Sequence, residues 1–345
     1  MGHSRSKLAL TYVLIWPVVQ IYYLLGRLRR FLFAKGVFLS HRLPGKVVSV
    51  GNITFGGTGK TPVVISLAQA LKKKGLRPVI LTRGYRSGLG ANDAVVFLGD
   101  SCSPLIYKGS VGEVRADEAR MQAELLEDVP VICGAQRVKA ARSYLVRHDT
   151  PDIWLLDDGF QHLSLRRDLD ILLCDASQPW GAGNSLADRV LRESPDQIKN
   201  AHHVLLTRYD ANTVHKGFVA ELEAKSIPFS FVPIINKALK QVSGSEKSWK
   251  RPLLVCGIAR PEKLVASWPD SLPDLVGVLE VADHSPIPRS GVSQKMADVD
   301  ADAVITTEKD YWRDPSVFHG WGGVPILTLP VEAELDLADE LLKSI

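Results

Sequence analysis

Apolar residues are spread along this chain in three ways, and each predicts a different kind of element. From Leu8 to Leu25 they make an 18-residue, mainly apolar run that contains Trp16, Tyr22 and Tyr23 and is interrupted by Pro17 and Gln20. As a helix that run would be ~27 Å long, just short of the ~30 Å hydrocarbon core of a bilayer. Directly after it, Arg27, Arg29, Arg30 and Lys35 interleave with Leu28, Phe31, Leu32 and Phe33. That continuation is amphipathic and basic, the composition of a helix lying among lipid headgroups. The run is too long for the apolar stretch of a cleaved signal peptide, and no small-residue cleavage site follows. A buried core helix is the bland alternative. Attachment to a membrane surface is the expectation, with spanning and interfacial placements both open.

The second pattern is an alternation of short β-branched runs with helically spaced apolar residues between Val47 and Thr207. It predicts an α/β fold, a mostly parallel sheet with helices on both faces. The third lies further on: Ile227 to Ile235 is β-prone, Gly244 to Lys250 is polar and turn-like, and strand and helix signals resume at Leu253. The expected division is an N-terminal membrane-associated helix over 1–35, a P-loop core over 36–226, a β-stranded linker over 227–250, and a smaller α/β domain over 251–345.

Charge sharpens this picture. No Asp or Glu precedes Asp93, whereas residues 1–92 hold fifteen Lys and Arg; the remainder has a balance of −11, so the overall +4 hides a strong asymmetry. A basic leading segment suits an anionic surface and phosphate ligands. Basic residues are not interleaved with aromatics in any nucleic-acid-binding module, so no nucleic acid is expected as partner. Cys102, Cys133, Cys174 and Cys256 are far apart and form no C-x-x-C pair, the pattern of reduced, structural thiols in a cytosolic compartment.

Candidate chemistry begins at Gly51-Asn52-Ile53-Thr54-Phe55-Gly56-Gly57-Thr58-Gly59-Lys60-Thr61-Pro62, between the strand-like Val47 to Val50 and the helical spacing of Val63 to Leu71. Strand, glycine-rich turn and helix are the context of a phosphate-binding loop, in which backbone N–H groups and the helix N-terminus face phosphate oxygens. Gly56, Gly57, Thr58, Gly59, Lys60 and Thr61 are the candidate ATP contacts. Lys60 would reach the β- and γ-phosphates, and the Thr61 hydroxyl would ligate Mg²⁺. Thr54 occupies the place of the first glycine in the strict pattern. About a hundred residues on, the apolar Ile153 to Leu156 ends in Asp157-Asp158-Gly159-Phe160-Gln161-His162. A carboxylate at a strand's carboxyl end is how such folds hold a metal, though an Asp-Gly turn reads the same way.

At these residues the chain closely resembles the tetraacyldisaccharide 4'-kinases of lipid A biosynthesis. Their G-N-x-x-x-G-G-x-G-K-[ST]-P loop is met at Gly51 to Pro62, including the non-glycine at Thr54. Their [ST]-R-G-Y element is met at Thr82 to Tyr85 and their D-D-G-x-Q-H signature at Asp157 to His162. Further matches are Gly257 to Pro261, Ala282-Asp283-His284, and Thr307-Glu308-Lys309-Asp310. Two elements depart: Arg115 to Ala119 keeps its carboxylates without the usual proline, and Ala187 to Glu193 keeps Leu191, Arg192 and Glu193 but loses a glycine and both prolines.

The resemblance implies an ATP-dependent, Mg²⁺-requiring kinase at the cytoplasmic face of the inner membrane. Its acceptor would be the 4'-hydroxyl of a glycolipid, a lipid A disaccharide precursor, with no obligate protein partner. It implies Asp117 as general base with His284 as its partner, and Thr61, Glu118 and Asp157 on the metal side. Asp158, Gln161 and His162 are expected near the γ-phosphate or acceptor, with Arg137, Arg192 and Glu193 as further phosphate or head-group contacts. A membrane-attached ATPase driving partner assembly is the alternative that the loop and Asp157 alone would allow.

Overall fold

A computed structural model describes the chain apart from residues 1, 56, 85–86, 107–113, 115, 182–190, 259–260, 267, 283–284 and 336–345; it describes side chains from residue 16 onward, that of Lys263 excepted. Helix α1 spans Gly2–Ala34. Among the described residues no helix is long and apolar enough to cross a membrane. Residues Val19 and Tyr23 are buried against Leu191, and Trp180 packs on them. With Arg30, whose guanidinium is also largely covered, they form one helical stripe. Ile21, Leu24, Leu25, Leu28 and Phe31 lie off that stripe and are each more than 40% exposed.

The core follows as β1 (Lys46–Gly51), α2 (Lys60–Lys73), β2 (Pro78–Thr82), β3 (Ala94–Leu98), β4 (Ser101–Ile106), α3 (Asp117–Leu126), β5 (Val131–Gly134), α4 (Arg137–Leu145), β6 (Ile153–Asp157) and β7 (Leu169–Asp175). Strand β8 (His203–Thr207), helix α5 (Lys216–Ala224) and β9 (Phe229–Val232) complete it. The sheet runs β4-β3-β5-β2-β6-β1-β7-β8-β9. All neighbours pair in parallel except β3, which is antiparallel to both β4 and β5. Central strands of such a sheet are covered on both faces, which is why Ile153 to Leu156 of β6 and Ile171 to Cys174 of β7 read as unbroken apolar runs and both strands are buried at every position. Along β1, Val48 and Val50 enter one core and Val47 the other, with α2 covering the first through Val63, Val64, Leu67, Ala68 and Leu71.

A second sheet contains β11 (Lys240–Ser243), β12 (Pro252–Cys256), β13 (Gly277–Glu280), β14 (Ala303–Thr307) and β15 (Ile326–Leu329), in the order β11-β15-β14-β12-β13. Helices α6 (Pro261–Ala266), α7 (Arg289–Val299) and α8 (Glu308–Arg313) accompany it. Between the sheets β10 (Ile234–Asn236) pairs antiparallel with β16 (Val331–Ala333), a two-stranded crossing that joins them twice. The segment 227–250 thus carries three strands, and each belongs to a different sheet.

Candidate active site

Because β1, β6 and β8 run in parallel, their carboxyl ends open on one side, where ligands of such sheets bind. A cleft of about 1450 Å³ lies there, bounded by the loop after β1, the start of α3, and Thr307, Glu308 and Lys309 of the second sheet. Tyr22 and Arg29 bring α1 to its rim.

The loop is braced from outside. The Nδ2 of buried Asn52 donates to the hydroxyl of Thr58 at 3.1 Å, and Thr207 Oγ1 donates to the Thr58 carbonyl at 2.8 Å. Arg208 Nη1 donates to the carbonyl of Gly57 at 2.8 Å. Thr54, standing where the strict pattern has glycine, is buried and accepts from Asn52 Nδ2 at 3.4 Å, so its hydroxyl joins the brace. Gly59 precedes α2 with φ 77°, and a Cβ there would lie 2.2 Å from Cδ1 of Ile234. Left-handed backbone and a wall of side chain together demand glycine at that point.

Lys60 Nζ lies 3.6 Å from Asp158 Oδ1, and Arg192 Nη1 donates to both oxygens of the same carboxylate, at 2.7 and 2.9 Å. Asp158 has φ 52°, a left-handed conformation that Asp tolerates better than most residues. Burial alone would raise its carboxyl, but Lys60, Arg192 and Arg137 outweigh that and hold it below the ordinary carboxylate range. Burial lowers the Lys60 ammonium, with Asp158 opposing.

Asp157 behaves in the opposite way. It is 4% exposed, accepts from Gln122 Nε2 at 2.8 Å, and is pushed up to about 6 by burial and by the charge of Glu118. A buried carboxyl beside a second carboxylate is a place for a divalent cation. Thr61 lines the same cleft. No group of three or more His, Cys, Asp or Glu side chains forms a self-contained metal cage among the described residues. Mg²⁺ shared with a nucleotide needs less: one or two carboxylates, a hydroxyl, water and phosphate oxygens. Glu118, Asp157 and Thr61 fit that requirement.

Of the remaining expected residues, Asp117 opens α3 and lines the cleft with Glu118. Gln161 Nε2 donates to the Asn52 carbonyl at 2.9 Å, steadying the strand that leads into the loop. His162 is pushed down to about 3 by burial and then by Arg137, Arg167, Arg29 and Arg83, so its ring is neutral. Arg137 is 3% exposed and donates to the backbone carbonyl of Asp158 at 3.1 Å. Glu193 does not line the cleft: it is buried, and Arg30 Nε donates to its Oε2 at 2.8 Å. Gly56 and His284 lie outside the described residues. The site also contains Arg29, Arg83, Arg208 and Gln122, whose place in it the sequence pattern does not mark. Arg83 lies within the Thr82 to Tyr85 element, Arg29 has the local character of a headgroup-facing basic residue, and nothing local marks Arg208 or Gln122.

A family model described as tetraacyldisaccharide-1-P 4'-kinase matches residues 11–345. A tetraacyldisaccharide 4'-kinase of Geobacter metallireducens is 34% identical over 89% of this chain and 88% of its own length. A probable mitochondrial tetraacyldisaccharide 4'-kinase of Arabidopsis thaliana is 30% identical over 90% of this chain and 82% of its own. Among solved structures, LpxK from Aquifex aeolicus in complex with ATP superposes with a TM-score of 0.68, covering 96% of this chain and 98% of its own at 23% identity.

Proposed function

The chain belongs to the tetraacyldisaccharide 4'-kinase family, and from that premise we propose how its cleft transfers phosphate from ATP to the 4'-hydroxyl of a tetraacyldisaccharide 1-phosphate, a step of lipid A biosynthesis. When bound, Mg²⁺ neutralises charge on the phosphates and ATP supplies the phosphoryl group. The residues of the chain clamp, orient and deprotonate. Thr61, Glu118 and Asp157 hold the metal side, and the residues from Gly56 to Lys60 hold the phosphates. Lys60, kept in aim by Asp158 before the nucleotide arrives, turns to the transferring phosphate, while Arg192 keeps Asp158 charged and in place. Asp117 takes the proton of the acceptor hydroxyl, and His284 is its partner.

The acceptor side is supported by an accumulation of positive charge. Among the described residues Arg29, Arg83 and Arg137 have no carboxylate within ion-pair distance, and all three, with Arg167, bear on the neutral ring of His162. Guanidinium groups without a close carboxylate partner, around a neutral donor–acceptor ring, suit a phosphorylated sugar head group. The exposed apolar face of α1, with Ile21, Leu24, Leu25, Leu28 and Phe31, supports an interfacial seat on the cytoplasmic face of the inner membrane, which would place that rim at headgroup depth. Glu193 then serves to fix α1 through Arg30 rather than to touch substrate.

The observation that carries this reading is the convergence of Lys60, Asp158, Asp157 and Asp117 on one cleft whose rim includes α1. Incubation with γ-labelled ATP and tetraacyldisaccharide 1-phosphate in mixed micelles should place label in the extracted lipid. Label confined to free phosphate, with no lipid product, would overturn it and favour an ATPase.

A further inference from the structure

The Thr307-Glu308-Lys309-Asp310 element lies outside the roles assigned above. It caps and opens α8, and α8 packs on α3 across the seam between the two large sheets. Thr307 Oγ1 accepts from the backbone N–H of Asp310 at 3.1 Å and donates to Asp310 Oδ2 at 2.7 Å. Asp310, 1% exposed, also accepts from the N–H of Gly257 at 2.9 Å. One turn further on, Arg313 is gripped from its own side of the seam. Its Nη1 lies 3.0 Å from Asp310 Oδ1 and donates to the Ser285 carbonyl at 3.0 Å, and its Nη2 donates to the Gly257 carbonyl at 3.2 Å. Gly257 leaves the space for this: an added Cβ would lie 2.8 Å from Arg313 Nη1 and 3.2 Å from Asp310 Oδ1.

The Nε–H of that guanidinium faces the first sheet. Among the described residues Arg313 Nε is buried with no hydrogen-bond acceptor, and it stands 3.7 Å from Asp117 Oδ2. An N–H···O bond needs about 3 Å, so a shift of roughly half an ångström to one would close it. A buried N–H without an acceptor is costly, which favours that shift. Beside it, Lys309 Nζ lies 3.0 Å from Glu118 Oε1, a second contact across the same seam. The Ser285 carbonyl held by Arg313 belongs to the residue directly after His284, so one guanidinium ties the start of α3 to the chain segment of its proposed partner.

We propose that Arg313 is a positioning residue for phosphoryl transfer: anchored by Asp310, it presents Nε–H to Asp117, aims that carboxylate at the acceptor hydroxyl, and makes the aim depend on how the second sheet sits against α3. This rests on Asp117 being the general base. Nothing in it requires Arg313 to touch ATP or lipid, so its signature is a loss of kcat without a loss of binding.

The test is a four-member cycle of wild type, Arg313→Gln, Asp117→Asn and the double variant, in the full chain. Turnover is followed with Mg-ATP and tetraacyldisaccharide 1-phosphate in mixed micelles, ATP binding by calorimetry, and folding by thermal melting. Arg313→Gln should lower kcat about ten- to a hundredfold, leave ATP affinity and both KM values within about twofold, and add little in the Asp117→Asn background, because groups acting as a unit are non-additive. Arg313→Lys, which keeps the charge with a shorter reach, should recover part of kcat. Unchanged kcat in Arg313→Gln, or a fully multiplicative loss on top of Asp117→Asn, would overturn the coupling while leaving an inactive Asp117→Asn, and so the base assignment, intact. An active Asp117→Asn removes the base assignment and this proposal with it. Should Arg313→Gln fail to fold, Arg313→Lys decides: kcat lowered at an unchanged melting temperature supports the role, and full kcat refutes it.

Discussion

Lys60 and Asp158 face each other across the mouth of the phosphate loop, Nζ to Oδ1 at 3.6 Å, with Arg192 on both oxygens of the same carboxylate. The lysine is therefore held by a charge that a phosphate can replace, without being locked in a short hydrogen bond. Lys60→Ala should cut kcat by about 10²–10³, the usual loss for one donor to transferring charge, while circular dichroism and melting stay normal. Asp158→Asn should lower kcat as well but leave ATP affinity equal or tighter, since it frees two cations. Near-normal lipid phosphorylation by Lys60→Ala would end the loop assignment.

Asp157 is a buried carboxyl whose charged form is disfavoured in the metal-free protein. Its folded-state value of about 6 lies above the unfolded one, so the group's contribution to stability is full in acid and is lost as pH rises through about 6. Asp157→Asn should consequently be more stable than wild type at neutral pH without Mg²⁺, by roughly 1–3 kcal/mol, yet nearly inactive. Urea unfolding at pH 7.5 in chelator checks this; a variant less stable than wild type contradicts it.

His162 titrates in the reverse sense. Its ring is held neutral down to about 3, below the ordinary histidine value, so its contribution is present above the unfolded value and lost as pH falls from about 6.5 toward 3. His162→Gln should flatten the acid limb of a stability–pH curve in that window. An acid limb of identical slope in wild type and variant would show that burial and the surrounding arginines do not hold the ring neutral.

Arg30 and Glu193 form a covered ion pair, 12% and 6% exposed, and Arg30 also lies over the Phe160 ring at 4.4 Å and donates to the Phe160 carbonyl. Arg30→Met strands a buried carboxylate and should cost about 3–5 kcal/mol, whereas Arg30→Met with Glu193→Leu should recover most of that loss. A double-mutant cycle by chemical denaturation measures the coupling; additive losses would mean that the pair is not a unit.

The outward face of α1 gives a prediction that leaves the packed stripe untouched. Leu24→Asp with Leu28→Asp alters two exposed side chains and should release most of the protein from anionic vesicles in flotation while preserving the melting temperature. ATP hydrolysis or binding should be unaffected, and turnover on vesicle-presented lipid should fall. Complete vesicle binding by the double variant at high salt would exclude this face as the seat.

What the sequence determined by itself were the features that physics decides locally. Glycines before a helix, a β-branched run into the loop, and an apolar run ending in Asp157 each specify their own backbone within a few residues, and the parallel sheet follows from repeating such units. The family resemblance then named Asp117, Glu118 and Arg192. What tertiary structure alone decided was which charges meet. Arg30 and Glu193 are 163 positions apart, Gln122 reaches Asp157 from 35 positions away, and Arg313 comes to Asp117 from the other sheet. An arginine in a basic, apolar stretch has the same local preferences whether it faces lipid, as the sequence suggested for Arg29 and Arg30, or turns inward to a carbonyl and a buried carboxylate. Ion pairs are specified by where two distant backbones converge, and that convergence is set by packing of the sheets, which no short window of sequence contains.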